Sequence, residues 1–151
     1  MTISMSTLSH IDNLADCVAV RHEVFVVGQN IPHNLEQDGK DTQAPTFHVV
    51  AKDGTTPVGT ARVVFPKPNQ AKIGRMAVLE SQRGKGIAKL LMAEVLKELE
   101  RRNIPFAALS AQKYVANLYE HFGFEVVGDE YIEAGIPHVY MTKSLTKEVS
   151  R

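Results

Sequence analysis

The stretch MAVLESQRGKGIAKLLMAEVLKEL, residues 76–99, decides the fold. It opens as an apolar strand signal, breaks at Arg83, Gly84, Lys85 and Gly86, and resumes at once as a helix. One glycine suffices for a turn; two glycines set among cations before a helix prepare a place for an anion. The first N–H groups of a helix lack intrahelical partners, and the helix dipole places about half a positive charge there. Together they bind anions, phosphate above all. Glycine at 84 and 86 removes Cβ and lets oxygen atoms approach the backbone. A plain strand-to-helix turn is the alternative. Two familiar phosphate motifs do not fit. A Walker A loop needs serine or threonine after its glycine-lysine pair, and Gly86 stands there; a dinucleotide fingerprint needs glycine where Lys89 stands.

Outward from this turn, Ile87, Ala88, Leu91, Met92, Val95, Leu96 and Leu99 form a broad apolar face on a helix reaching about Arg102. Lys89, Lys97 and Glu100 lie opposite. Upstream, FHVVAK and VGTARVVF flank DGTTP as a hairpin, FPKPNQ makes a second turn, and AKIGRMAVL is the next strand. TISMST opens the chain as a strand; HIDNLADCVAVRHEVFVV follows as one or two helices, and GQNIPHNLEQDGKDTQAPT as a polar loop. Downstream, FAALSA reads as a buried strand and KYVANLYEHF as a helix capped by Gly123, while FEVVG and PHVYMTKSL close as strands. Strands joined by short turns pair antiparallel, and the long helical crossover requires a parallel neighbour. The expectation is an α/β fold with a mixed, mostly antiparallel sheet.

The 151 residues fit a single domain, 1–151, and 44% hydrophobic residues suffice for a sizeable core. Seventeen basic residues balance seventeen acidic ones, which argues against general nucleic-acid affinity. No secretory pattern and no apolar run near the ~20 residues needed to cross a bilayer is present, so no membrane role is expected. The single cysteine, Cys17, reads as a small core residue, and a cytoplasmic setting is expected. The histidines show no metal-ligand spacing, and no metal is expected.

RGKGIA, residues 83–88, and LYEHFGF, residues 118–124, together resemble the GNAT family of acetyl-CoA-dependent N-acetyltransferases. The first fits that family's pyrophosphate pattern [QR]-x-x-G-x-[GA] after a strand, and the second fits L-Y-E-x-x-G-F. The resemblance spans about residues 47–140, and AGIPHVYM, QKYV and VRHEVFVVGQ extend it to a small bacterial single-domain subgroup. It implies a GNAT-like sheet flanked by helices, with a β-turn-α cofactor motif. It also implies acetyl-CoA as cosubstrate and acetyl transfer to a primary amine whose identity stays open. A small molecule or a peptide amine fits equally.

By this resemblance the cofactor lies on Arg83, Gly84, Lys85, Gly86, Ile87 and Ala88, and its pantetheine arm runs beside Met76, Ala77 and Val78. Gln112 stands where many relatives carry asparagine and keeps an amide for the cofactor. Gly28 stands where the subgroup often has glutamate, which removes an acidic site residue. Tyr119 takes the sulfur role, stabilising the leaving thiolate or protonating it; a core tyrosine is the alternative. For the base, His138 and Glu133 compete with a water-mediated route. Glu36, Asp38 and Asp41 in EQDGKD attract a cationic acceptor if their loop lines its entrance, and otherwise form a solvated cluster. Assembly stays open between a monomer and a homodimer paired through edge strands. Two rival functions are a non-catalytic acyl-CoA-binding module and a nucleotide-binding enzyme.

Overall fold

Short turns make neighbours of consecutive strands, and the computed structural model, which describes residues 2–145, builds one sheet this way. Its strands are β1 (Ile3–Ser9), β2 (Phe47–Asp53), β3 (Thr56–Lys67), β4 (Gln70–Val78), β5 (Phe106–Gln112), β6 (Glu125–Glu133) and β7 (Ile136–Ser144). They lie in the order β1-β2-β3-β4-β5-β7-β6. All neighbours are antiparallel except β4 and β5, which a helical crossover joins and which run parallel. The helices are α1 (Ala15–Arg21), continued by a π-helical turn at His22–Val27, then α2 (His33–Glu36), α3 (Ile87–Arg101) and α4 (Ala116–His121). The predicted polar loop thus contains α2, and β3 runs through Pro66 to Lys67 before it turns.

Alternation along the strands gives the sheet two different buried faces. On one, Phe47, Val49, Ala61, Val63, Ile73 and Leu109 meet Ile87, Leu91, Met92, Val95 and Leu99 of α3. Burying those five helical side chains is worth of order 10 kcal/mol before chain entropy is counted. Gly59 permits this approach, since a Cβ there would stand 3.0 Å from both Ile87 and Leu91. Ala88 and Leu96, also predicted on this stripe, are half-buried at its margin.

The other face carries α1 and is polar. His48, Thr60 and Arg62 are buried in the strands, and Arg21 of α1 is fully buried beside them. Arg21 meets Glu36 at 2.7 Å and Asp41 at 2.8 Å; Arg62 meets Asp38 at 2.7 Å and Asp41 at 3.0 Å. Arg75 completes the layer, with Nε 2.7 Å from Glu36 and Nη2 3.2 Å from Asp38. Glu36, Asp38 and Asp41 are therefore matched by three guanidiniums and tie the loop down. They do not form the solvated cluster that EQDGKD suggests. Burial raises the Asp41 carboxyl, but hydrogen bonds and charge from Arg21 and Arg62 outweigh it and hold it below its usual range. Asp38 is likewise lowered, against its own desolvation, by Arg62, the Lys40 N–H and Arg75.

The expected cost of Glu36→Gln, read from urea unfolding, is about 3 kcal/mol, because a buried guanidinium loses its charge partner while Asp41 still faces Arg21. A loss under about 1 kcal/mol would mean that the layer is solvated. Carboxyls lowered on folding stabilise fully above their unfolded pKa of about 3.9, and that stability is lost as pH falls toward the folded value. Acid titration of the wild type should therefore show destabilisation below about pH 4, and Asp41→Asn should flatten that descent.

Candidate active site

The sheet opens where β4 leaves β5. These strands pair only from Gln70 with Phe106 to Ile73 with Leu109, although β5 continues beside β7 to Gln112. The cause lies one residue past Gly74. Between Thr60–Ala77 and Arg62–Gly74, β3 contributes one residue and β4 two, which is a bulge at Arg75 and Met76. Arg75 there has φ of 50°, uncommon for a residue with a side chain. The splay leaves a cleft of about 790 Å³ between the strand ends.

One wall is backbone. Successive strand residues aim their N–H and C=O at opposite edges, and the Leu79 N–H donates to Val58 O on β3. Met76 and Val78 therefore present their polar groups to the cleft, like an unpaired strand edge. Arg83 Nε donates to the Val78 carbonyl at 3.1 Å and fills one of those places. The turn beyond holds Gly84 and Gly86 at φ of 79° and 80°, a left-handed conformation that glycine alone adopts without strain. Nothing lies within 4 Å of where either Cβ would stand, so the space above the turn is open. Gly86 caps α3 with no side-chain bond, and the first backbone bond of the helix is Leu90 N–H to Gly86 O at 3.2 Å. The N–H groups of Ile87, Ala88 and Lys89 thus precede the intrahelical ladder and are available to an anion.

Side chains form the opposite wall. The ring of Tyr119 on α4 is packed edge-on to Phe124 in the apolar core, which fits the core alternative. The residue nevertheless lines the cleft. Burial pushes its pKa well up, so the phenol stays protonated. Glu133 and His138 are brought together by the β6–β7 hairpin, whose turn at Ala134 and Gly135 has φ of 50° and 76°. His138 is buried and stacks on Tyr131. Its Nδ1 lies 2.6 Å from Ile136 O and its Nε2 lies 3.5 Å from Glu133 Oε2. When Nδ1–H donates to that carbonyl, the neutral ring keeps Nε2 as an acceptor.

Gln112 also lines the cleft, but its amide is engaged. Gln29 Nε2 donates to it at 3.2 Å, it donates back to Gln29 Oε1 at 2.9 Å, and the Tyr114 hydroxyl adds a third bond. Gly28 itself does not line the cleft; it caps the π-helical turn. Of the acidic loop residues, Glu36 lines the cleft and Asp38 and Asp41 do not. Lining residues that sequence reasoning missed include Phe25, Gln29, Ile31, Leu35, Arg75 and Ser110. Ile31 and Leu35, apolar within a polar loop, were the available signal. Among the described residues no cluster of His, Cys, Asp or Glu is arranged to hold a metal.

Comparison with known proteins agrees with this geometry. Residues 13–145 match the family model described as an acetyltransferase (GNAT) domain. An uncharacterized N-acetyltransferase of Bacillus subtilis, YjcF, is 34% identical over 87% of this chain and 93% of its own length. The crystal structure of an acyl-CoA N-acyltransferase from Pseudomonas aeruginosa superposes with a TM-score of 0.86 at 31% identity, covering 94% of this chain and 99% of that one. ElaA of Escherichia coli superposes with a TM-score of 0.85 at 30% identity over the same shares, 94% and 99%. With a splayed β4, a glycine turn opening α3, and a family match over most of its length, this chain belongs to the GNAT family of acetyltransferases and is an acyltransferase.

Proposed function

We propose that the protein transfers an acetyl group from acetyl-CoA to a primary amine. The observation that carries this reading is the union, in one cleft, of a free backbone edge, an open glycine turn at the start of α3 and Tyr119. An acyl-CoA needs all of these: donors for its pyrophosphate, an edge for its amide-bearing arm, and a hydrogen bond for its departing sulfur. The fit is good at each. Glycines 84 and 86 leave room above the N–H groups of Ile87 and Ala88, and Arg83 and Lys85 add positive charge. The N–H groups of Met76 and Val78 face the arm, and Ala77 between them packs against Val20 and Val24. Gln112 acts through Gln29, fixing the far rim of the cleft.

The bound thioester supplies an activated acyl carbon with a thiolate leaving group. The chain's own residues manage the protons. A lysine-like amine has a pKa of about 10.4, so making it neutral at pH 7 costs about 5 kcal/mol. His138 accepts that proton at Nε2, and Glu133 steadies the resulting imidazolium. As the amine nitrogen bonds to the acyl carbon, the carbon–sulfur bond breaks with its electron pair staying on sulfur, and the nitrogen releases its second proton to solvent to become the neutral amide. Tyr119 donates a hydrogen bond to that sulfur. Its raised pKa makes complete proton transfer to the thiolate strongly uphill, so solvent completes the protonation.

Calorimetric titration with acetyl-CoA tests the donor site. Micromolar binding is expected in the wild type and none with Gly86→Glu, which puts a carboxylate and a strained backbone where the phosphates lie. No binding by the wild type would overturn the proposal. For Tyr119→Phe the expectation is a kcat lower by about 100-fold with the acetyl-CoA KM within about twofold, the pattern of a hydrogen bond made as charge develops. An unchanged kcat would return Tyr119 to a purely structural role.

A further inference from the structure

The charges around the cleft point to the kind of amine it accepts, given that it is the acyltransfer site proposed above. Among the described residues the lining contains two carboxylates, Glu36 and Glu133. Glu36 is spent: both its oxygens are taken, one by Arg21 at 2.7 Å and one by Arg75 at 2.7 Å, and its side chain is 2% exposed. Glu133 differs, with a side chain 55% exposed and only the switchable charge of His138 beside it. One carboxylate therefore remains to hold a cation.

Beside these two carboxylates the lining includes a group of apolar side chains. Phe25 lies within the π-helical segment, Ile31 donates its N–H to Phe25 O at 3.0 Å, and Leu35 sits on α2. Leu35 is 53% exposed although nothing about α2 prevents a polar residue there. Its backbone is held in place, since Arg75 Nη2 donates to both Leu35 O and Glu36 O at 3.2 Å. A second ammonium on the acceptor would meet these side chains, or the cations Arg75 and Lys72, with no free carboxylate to answer it. Binding sites of this kind, mostly apolar with a few placed polar groups, select by what the rest of the ligand can bury.

We infer that the acceptor is a primary amine carrying a single positive charge on an apolar body. Its ammonium docks at Glu133 beside His138, and its body lies against Phe25, Ile31 and Leu35. Polyamines are disfavoured by the missing second carboxylate, and hydroxyl-rich amino sugars by the apolar side chains of Phe25, Ile31 and Leu35.

The test is release of coenzyme A and mass detection of the acetylated product, with acetyl-CoA and a matched set of amines. From propylamine through butylamine to hexylamine, kcat/KM should rise about threefold per methylene. Hexylamine should exceed 1,6-diaminohexane, its equal in length, by at least about tenfold, and spermidine should be poorer still. Glu133→Gln should raise the hexylamine KM about tenfold, lower kcat as well because the His138 imidazolium loses its partner, and leave the acetyl-CoA KM unchanged. A diamine or spermidine used as well as hexylamine, or rates flat with chain length, would overturn the inference. So would Glu133→Gln lowering kcat with the amine KM intact. Coenzyme A titrated into the same sample separates two failures. Binding without acetylation of any amine in the set overturns the acceptor assignment alone, and absence of binding overturns the transferase reading beneath it.

Discussion

The cleft depends on one break in pairing, the departure of β4 from β5 after Ile73. A parallel pair left intact to Val78 would have no free edge and no cavity. The bulge at Arg75 makes the break, and it places a residue with a side chain in a left-handed conformation, at a cost of about 1–2 kcal/mol. That cost is offset locally. The Arg75 guanidinium, aimed by the same bulge, makes four hydrogen bonds to Leu35, Glu36 and Asp38. Glycine would relieve the backbone at this position and lose the clasp. One residue thus opens the sheet and pins the loop that walls the opening.

The polar layer under α1 explains why that loop can be both irregular and buried. Ion pairs taken out of water gain little net energy, because desolvation cancels much of the Coulomb attraction. Their value here is geometric. Arg21 arrives from a helix, Arg62 from the middle of β3 and Arg75 from β4, so only one placement of residues 36–41 satisfies all three. An apolar layer of equal volume would tolerate many. The same pairing removes three negative charges from the neighbourhood of the cleft, and it leaves the acceptor wall far less acidic than its composition suggests.

What was legible in the sequence was legible because it is local. The glycine turn, the α3 stripe and the antiparallel hairpins are set by residues a few positions apart. The mixed, mostly antiparallel sheet follows from their order, and the GNAT-like fold is what the resemblance of RGKGIA and LYEHFGF implies. Tyr119 and the two residues read as rival bases, Glu133 and His138, sit on local elements in the same sense, a helix with its cap and a tight hairpin turn, whereas the pairing of those two was found only in the structure. The role of EQDGKD was not legible, because its partners arrive from α1, β3 and β4. A signal existed in GTARV, where an arginine interrupts a strand that is otherwise apolar or small. A charge in that place is nearly always paired when buried. The Gln29–Gln112 amide pair was beyond reach for the same reason, since it joins opposite rims of a cleft that exists only once the sheet has splayed.

The two walls of the cleft also differ in what they demand of the chain. In the function proposed above, recognition on the donor side belongs to the backbone: strand-edge groups at Met76 and Val78, N–H groups at the start of α3, and conformations that only glycine adopts freely. Most side chains there can change without altering the site, which is why a short glycine pattern suffices to reveal it. On the proposed acceptor side recognition belongs to side chains carried by a π-helical turn, a four-residue helix and a hairpin tip. Each can be exchanged without disturbing the sheet. The Arg75 clasp divides these two domains of constraint: β4 up to the bulge answers to the fold, whereas the loop it pins carries side chains of the proposed acceptor wall.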